Sequence, residues 1–331
     1  MANGPAAFTP ENAAVLAAVS YIDPSDQPAQ QLADMTTALG TTSLPTAGQW
    51  QIVWGPADLG GNLMYIAQVQ GAGVGERGSQ VAVVIRGTIF DFPTDLLQDT
   101  EVATQVPLPF PPPKGFSEKA AISFGASEAW LNLAKMLPSI GGSSVDAFQF
   151  LKALPGPVSV LVTGHSLGGQ LATVAAVWIA GFLSSAAVQV ITFAAPTAGN
   201  PDFQSSFDSR FSGTAVRYFT DLDIVPRLWV PTGDYDLDSI KQLFPGGPQC
   251  DLGCHTGVAT AEGIVKNVTY AQPTAVQMLT SAVYSEGILN AFDDEVSAQH
   301  RMLLYLYLLG GTSASIIQQV FDSSWSPPPG M

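Results

Sequence analysis

The chain carries three histidines, His165, His255 and His300, and the first stands directly before Ser166 in the stretch VTGHSLGGQ. A serine hydroxyl is a weak nucleophile at neutral pH. It acts only with a base beside it, a group that orients the base, and donors for the oxyanion that its attack creates. Ser166 between Gly164 and Gly168 has the G-x-S-x-G spacing of a nucleophile exposed on a sharp strand-to-helix turn, where glycines let strand and helix approach closely. The competing reading is a glycine-rich turn in a buried core. The apolar LVT before the motif and QLATVAAVWIAGF after it supply the strand–turn–helix context that favours a nucleophile. A helix beginning just past Ser166 would aim its amides and positive dipole end at the serine. The N–H of Leu167 is therefore one expected oxyanion donor.

His165, adjacent to Ser166 on the turn, is expected to point away as a packed supporting residue. His255 sits beside two cysteines in the Gly-containing segment PQCDLGCHTG, whereas His300 opens HRMLLYLYLL, a run that reads as packed helix. A base needs a supported position, so His300 is the expected base and His255 the alternative; the bland role for His300 is a helix-end histidine. Where a nucleophile elbow is present, the acid falls between serine and histidine in chain order. Asp223 in YFTDLDIVPRL satisfies that order just after an expected strand, with Pro226 stiffening the loop; Asp221 is the alternative, and both compete with ordinary turn roles for Asp. A second oxyanion donor is expected at Thr88, where the β-rich run QVAVVIR ends in Gly-Thr.

These groups need elements to hold them. Thr9-Pro10-Glu11 reads as a helix start, with the helix running to about Tyr21. Strands are expected at about 51–54, 63–70, 80–86, 158–162, 188–193 and 215–220, and helices at about 115–137, 169–183 and 297–309. Residues 270–279 read as apolar strand or helix. Residues 89–113 form an unusual connection: a short amphipathic segment from about Thr94, then the proline-rich VPLPFPPP. Strands alternating with helices imply a mostly parallel sheet covered on both faces. With no internal repeat and no linker, residues 1–331 are read as a single domain, with a loop-rich insertion at about 229–256.

Composition removes several function classes. A net charge of −15 with only 12 Lys and Arg argues against nucleic acid and against attraction to anionic membranes. Hydrophobic residues make up 47% and charged residues 12%, which allows a large core and apolar surface for a greasy ligand. No permanent charge occurs between Lys152 and Asp202, but glycines and Gln170 divide that stretch into a buried strand–helix–strand unit, so no stable membrane insertion is expected. The N-terminus has no basic n-region, which points to a cytoplasmic chain, one exported by another route, or one whose leader is missing. Cys250 and Cys254 are compatible with a local bridge, free thiols, or a zinc site with His255 that lacks a fourth ligand. Asp234, Asp236 and Asp238 alternate as in a calcium loop, yet Ser239 and Pro245 stand where that loop requires Gly and Glu, so the loop reads as solvated.

The ordered set VVIRGT, TDLLQD, KGF, VTGHSLGG, FAAPTAGN, TDLDIVPRL and HRMLLYLYLL, from about 80 to 310, resembles the class 3 (fungal-type) triacylglycerol lipases of the α/β-hydrolase superfamily. The resemblance implies an α/β-hydrolase fold, Ser166 as nucleophile, Asp223 as orienting acid, His300 as base, Thr88 and Leu167 at the oxyanion hole, and a lid at about 89–101. It implies hydrolysis of acylglycerols or related esters at a lipid–water interface without a cofactor. Pro113 stands where the family has His in its H-x-G-F segment. The fungal disulfides have no counterpart, which points to a bacterial-type member. The lid has separate support in Ile89, Phe90, Phe92, Leu96 and Leu97, set against Asp91, Asp95 and Asp99; the bland alternative is a static packed loop. A phospholipase, an acyltransferase and a non-catalytic lipid-binding relative are the rival readings.

Overall fold

The computed structural model describes residues 7–22, 27–71, 78–87, 100–138, 140, 144–230, 236–244, 247–279 and 292–328. Thr88 and positions 89–99 of the expected lid lie outside the described residues.

The centre is a seven-stranded sheet of β1 (Trp50–Leu59), β2 (Asn62–Val69), β3 (Ser79–Arg86), β6 (Val158–His165), β7 (Ala187–Phe193), β8 (Ala215–Thr220) and β9 (Val276–Leu279), in that spatial order. β1 to β3 are antiparallel, while β3, β6, β7, β8 and β9 are parallel. The β1–β2 hairpin turns at Gly60 and Gly61, whose φ values of 62° and 80° are what a two-residue hairpin with matching twist requires. A small two-stranded sheet pairs β4 (Gln105–Pro107) with β5 (Ala121–Ser123). Val81 to Ile85 and Val160 to Val162 are fully buried, as expected of strands covered on both faces, and the register pairs Val83 with Val162 and Val162 with Val190.

One face of the sheet packs on α3 (Phe124–Lys135), α4 (Ala147–Lys152), α5 (Leu167–Phe182) and α6 (Pro201–Arg210); the other packs on α1 (Pro10–Val19), α2 (Pro28–Leu39), α9 (Met302–Leu308) and α10 (Ala314–Val320). α1 is apolar on every side because it is buried on every side: Ala13 to Val19 are at most 2% exposed. Its Thr9 cap and first-turn Pro10 are as read from the sequence.

Three expectations are corrected. The helix read from Gly115 starts only at Phe124. Gly115 is left-handed, residues 121–123 are drawn into β5, and Ser123 caps the helix through the amide of Ala126. The terminal helix is two helices: α8 (Phe292–His300) stops, Arg301 is extended with ψ 132°, and α9 begins. The insertion read as loop-rich holds a 3-10 turn at Asp238–Gln242 and the start of α7 (Leu252–Val265). With Val102, Ile224, Leu228 and Trp229, its apolar side chains form a third cluster beside the ends of β6 and β8.

Candidate active site

All parallel strands end at the same edge of the sheet, where loops of such folds carry ligands and chemistry. β6 ends at His165, and Ser166 follows with φ 60° and ψ −135°, a conformation that costs a non-glycine residue about 1–3 kcal/mol and persists only where surroundings impose it. The surroundings are backbone. The Ser166 amide donates to the Phe193 carbonyl, and the amides of Gly169 and Gln170 donate to the Ser166 carbonyl. A Cβ on Gly164 would lie 2.4 Å from the Gly168 carbonyl oxygen, and one on Gly168 would lie 2.3 Å from that of Ile85. Glycine is needed at these positions because main chain abuts main chain.

His300 closes the arrangement. Its Nε2 is 2.8 Å from Ser166 Oγ and its Nδ1 is 2.9 and 3.0 Å from the two carboxylate oxygens of Asp223. A carboxylate only accepts, so Nδ1 carries the proton and Nε2 is left to accept from the serine hydroxyl. Asp223 is fully buried after β8 and is fixed twice more: the Val225 amide donates to Oδ1 at 2.9 Å and the Tyr305 hydroxyl donates to Oδ2 at 2.7 Å. Tyr305 itself accepts from the Thr220 amide, and burial beside Asp223 pushes its pKa well up, so it remains a donor.

The chain thus brings together Ser166, Asp223 and His300. Leu167 is the first residue of α5, so its amide belongs to the helix-start donors that have no partner within the helix. Thr88 lies outside the described residues; Gly87 before it packs directly against the elbow, where an added Cβ would meet the His165 carbonyl and Ser166 Cβ. The alternatives stand apart. His255 is exposed in the first turn of α7, and Asp221 offers its carbonyl to Arg227 while its Oδ1 finds no partner among the described residues. His165 does turn away from the serine, donating from Nε2 to the His300 carbonyl at 2.7 Å. Reading the sequence missed Tyr305 and Tyr21, because a tyrosine in an apolar helix or at its end is indistinguishable from core.

Cys250 and Cys254 form a disulfide, which closes the free-thiol and zinc alternatives. Among the described residues no cluster of His, Cys, Asp or Glu suits a metal, and no helix is long and apolar enough to cross a membrane.

Residues 82–232 match the family model "Lipase (class 3)". Over 119 residues the chain is 37% identical to the phospholipase A1-II 1 of Oryza sativa subsp. indica, covering 32% of this chain and 30% of that one. Over 129 residues it is 33% identical to the secreted mono- and diacylglycerol lipase 1 of Fusarium solani, covering 38% and 34%. The chain therefore spans about a third of the length of the curated relatives it matches. Among solved structures it superposes on M37 lipase with a TM-score of 0.80 at 25% identity, over 96% of this chain and 99% of that one.

Proposed function

We propose that the chain, whose residues 82–232 match the class 3 lipase model, is a serine carboxyl-ester hydrolase acting on acylglycerols through an acyl-enzyme. The observation that carries the reading is His300, with Ser166 Oγ at 2.8 Å on one ring nitrogen and Asp223 at 2.9 Å on the other. Ser166 Oγ attacks the ester carbonyl carbon while its proton passes to His300 Nε2. Asp223 holds the imidazole in the tautomer that can accept that proton and stabilises the imidazolium that results. The amides of Leu167 and Thr88 take the oxyanion. His300 returns the proton to the departing alcohol, leaving the acyl group on Ser166. A water then gives a proton to His300 as its oxygen adds to the acyl carbon, and collapse releases the carboxylic acid and restores the serine.

In this reading residues 1–331 are one domain, with a lid at about 89–101 and the insertion at about 229–256 capping the site from the side. It is supported by one central sheet and by the five large apolar side chains among Asp91, Asp95 and Asp99. The working place is a lipid–water interface. The rice relative's name favours a second reading, a phospholipase that releases an acyl chain from a glycerophospholipid.

The test is Ser166→Ala, which should lower ester hydrolysis roughly 10⁴-fold or more with the fold retained by circular dichroism, while a fluorophosphonate labels the parent at Ser166 and leaves the variant unlabelled. Retained hydrolysis in the variant would refute the assignment. Rates on tri-, di- and monoacylglycerols beside phosphatidylcholine, over a series of chain lengths, separate the two readings.

A further inference from the structure

Two groups beside the catalytic cluster, the buried His165 and the half-buried Tyr21, have no part in the proton transfers. His165 Nε2 lies 2.7 Å from the His300 carbonyl oxygen. That oxygen only accepts, so Nε2 carries a hydrogen, and Nδ1, with a lone pair, accepts from the Tyr21 hydroxyl at 2.9 Å. The main chain at Gly87 abuts the same hydroxyl: a Cβ on Gly87 would lie 2.9 Å from it. One hydroxyl thus sits at once against the residue before the expected oxyanion donor and, through His165, against the base.

The break between α8 and α9 explains why the His300 carbonyl is available. It lies at a helix end, where carbonyls lose their intrahelical partners. The two imidazoles face each other with ring centroids 4.6 Å apart. Burial first, and the neighbouring His300 second, hold the His165 pKa well below the usual histidine range. A neutral His165 lets His300 take up a proton during turnover without a second cation against its ring. Tyr21 is carried on the end of α1, its amide donating to the Ala18 carbonyl, and α1 packs against α9 and β6.

We propose that Tyr21 and His165 are positioning residues for the reaction: together they pin the main chain of the base and register it against the oxyanion turn at Gly87. The inference rests on Ser166, Asp223 and His300 acting as described above. Tyr21→Phe keeps the ring and removes the hydroxyl. It should lower kcat about 10- to 30-fold with KM within about twofold, while the fraction of protein titrated by a fluorophosphonate stays unchanged. His165→Gln, which retains an amide donor for the His300 carbonyl, should keep more activity than His165→Leu. In ¹⁵N-resolved NMR the His300 Nδ1–H resonance should shift or broaden in Tyr21→Phe, a signature that loss of stability alone does not produce. A kcat within twofold of the parent, or a fall matched by the loss of titratable sites, together with an unmoved Nδ1–H resonance, would overturn the proposal. If the parent hydrolyses no ester, the ester reading fails by itself and the resonance decides the positioning claim. If Tyr21→Phe does not fold, the His165 pair decides it.

Discussion

Ser166 sits at φ 60° because the residues around it leave no alternative, and the same crowding fixes every polar partner of the site. Asp223 accepts from Val225, Tyr305 and His300, so each of its two oxygens has two donors around it. Tyr305→Phe removes one charge-assisted hydrogen bond, of the kind worth about 1.5–3 kcal/mol, and should lower kcat/KM by about tenfold or more with little change in KM. His165 governs a different observable. Its pKa in the folded chain lies well below the unfolded value near 6.5, and the groups that face it are His300, Tyr21 and Tyr305, with Arg86 beyond Tyr21. As pH falls below about 6.5 the unfolded chain binds a proton that the folded chain refuses, so stability is lost at up to about 1.4 kcal/mol per pH unit. Denaturant melts between pH 7 and 5 should show this loss, and His165→Gln should flatten it.

At the scale of elements, the elbow depends on three main-chain segments meeting: the end of β3, the end of β6 and the start of α5. Gly168 is where they touch. Gly168→Ala should cost more than the 1–3 kcal/mol typical of overpacking, because the clash is with the rigid carbonyl of Ile85, and it should abolish hydrolysis by moving Ser166. Gly263 is the counterpart. It lies inside α7 with no atom of the described residues within 4 Å of its added Cβ, so Gly263→Ala should raise stability by about 0.5–1 kcal/mol and leave hydrolysis unchanged. Thermal melts of the two variants side by side check both signs. The α8–α9 break belongs to the same scale: ending α8 at His300 exposes its carbonyl to His165 and places Tyr305 one turn on, over Asp223.

At the scale of the molecule, charge decides how the proposed site meets a lipid surface. With 27 Asp and Glu against 12 Lys and Arg, the chain is repelled by anionic bilayers, and salt screens that repulsion. Raising ionic strength from about 10 to about 150 mM should speed hydrolysis of substrate held in anionic vesicles and barely change it in zwitterionic ones. Equal salt response on both surfaces would mean that the approach is governed by a locally positive face.

The strands were legible because a buried parallel strand must be an apolar, β-branched run: VVIR, VSVLV and VQVITF announce themselves, as does the glycine spacing around Ser166. Chain order and turn chemistry brought the reading to Asp223 and His300. Helix boundaries were less legible. Residues 115–123 have helical spacing, yet Ser123, Asn200 and the β4–β5 pairing divert them, and those partners are remote in sequence. The break at Arg301 and the roles of Tyr21 and Tyr305 left no local mark, because each depends on what stands opposite in space, whereas the spacing of Cys250 and Cys254 left a local bridge open beside free thiols and zinc. Local residue pattern therefore determined the sheet, the elbow and the chemistry its serine invites. Tertiary structure alone decided what holds His300 against that serine, since hydrogen bonds between groups 77 to 144 residues apart exist only once the sheet has brought strand ends and helix ends to one edge.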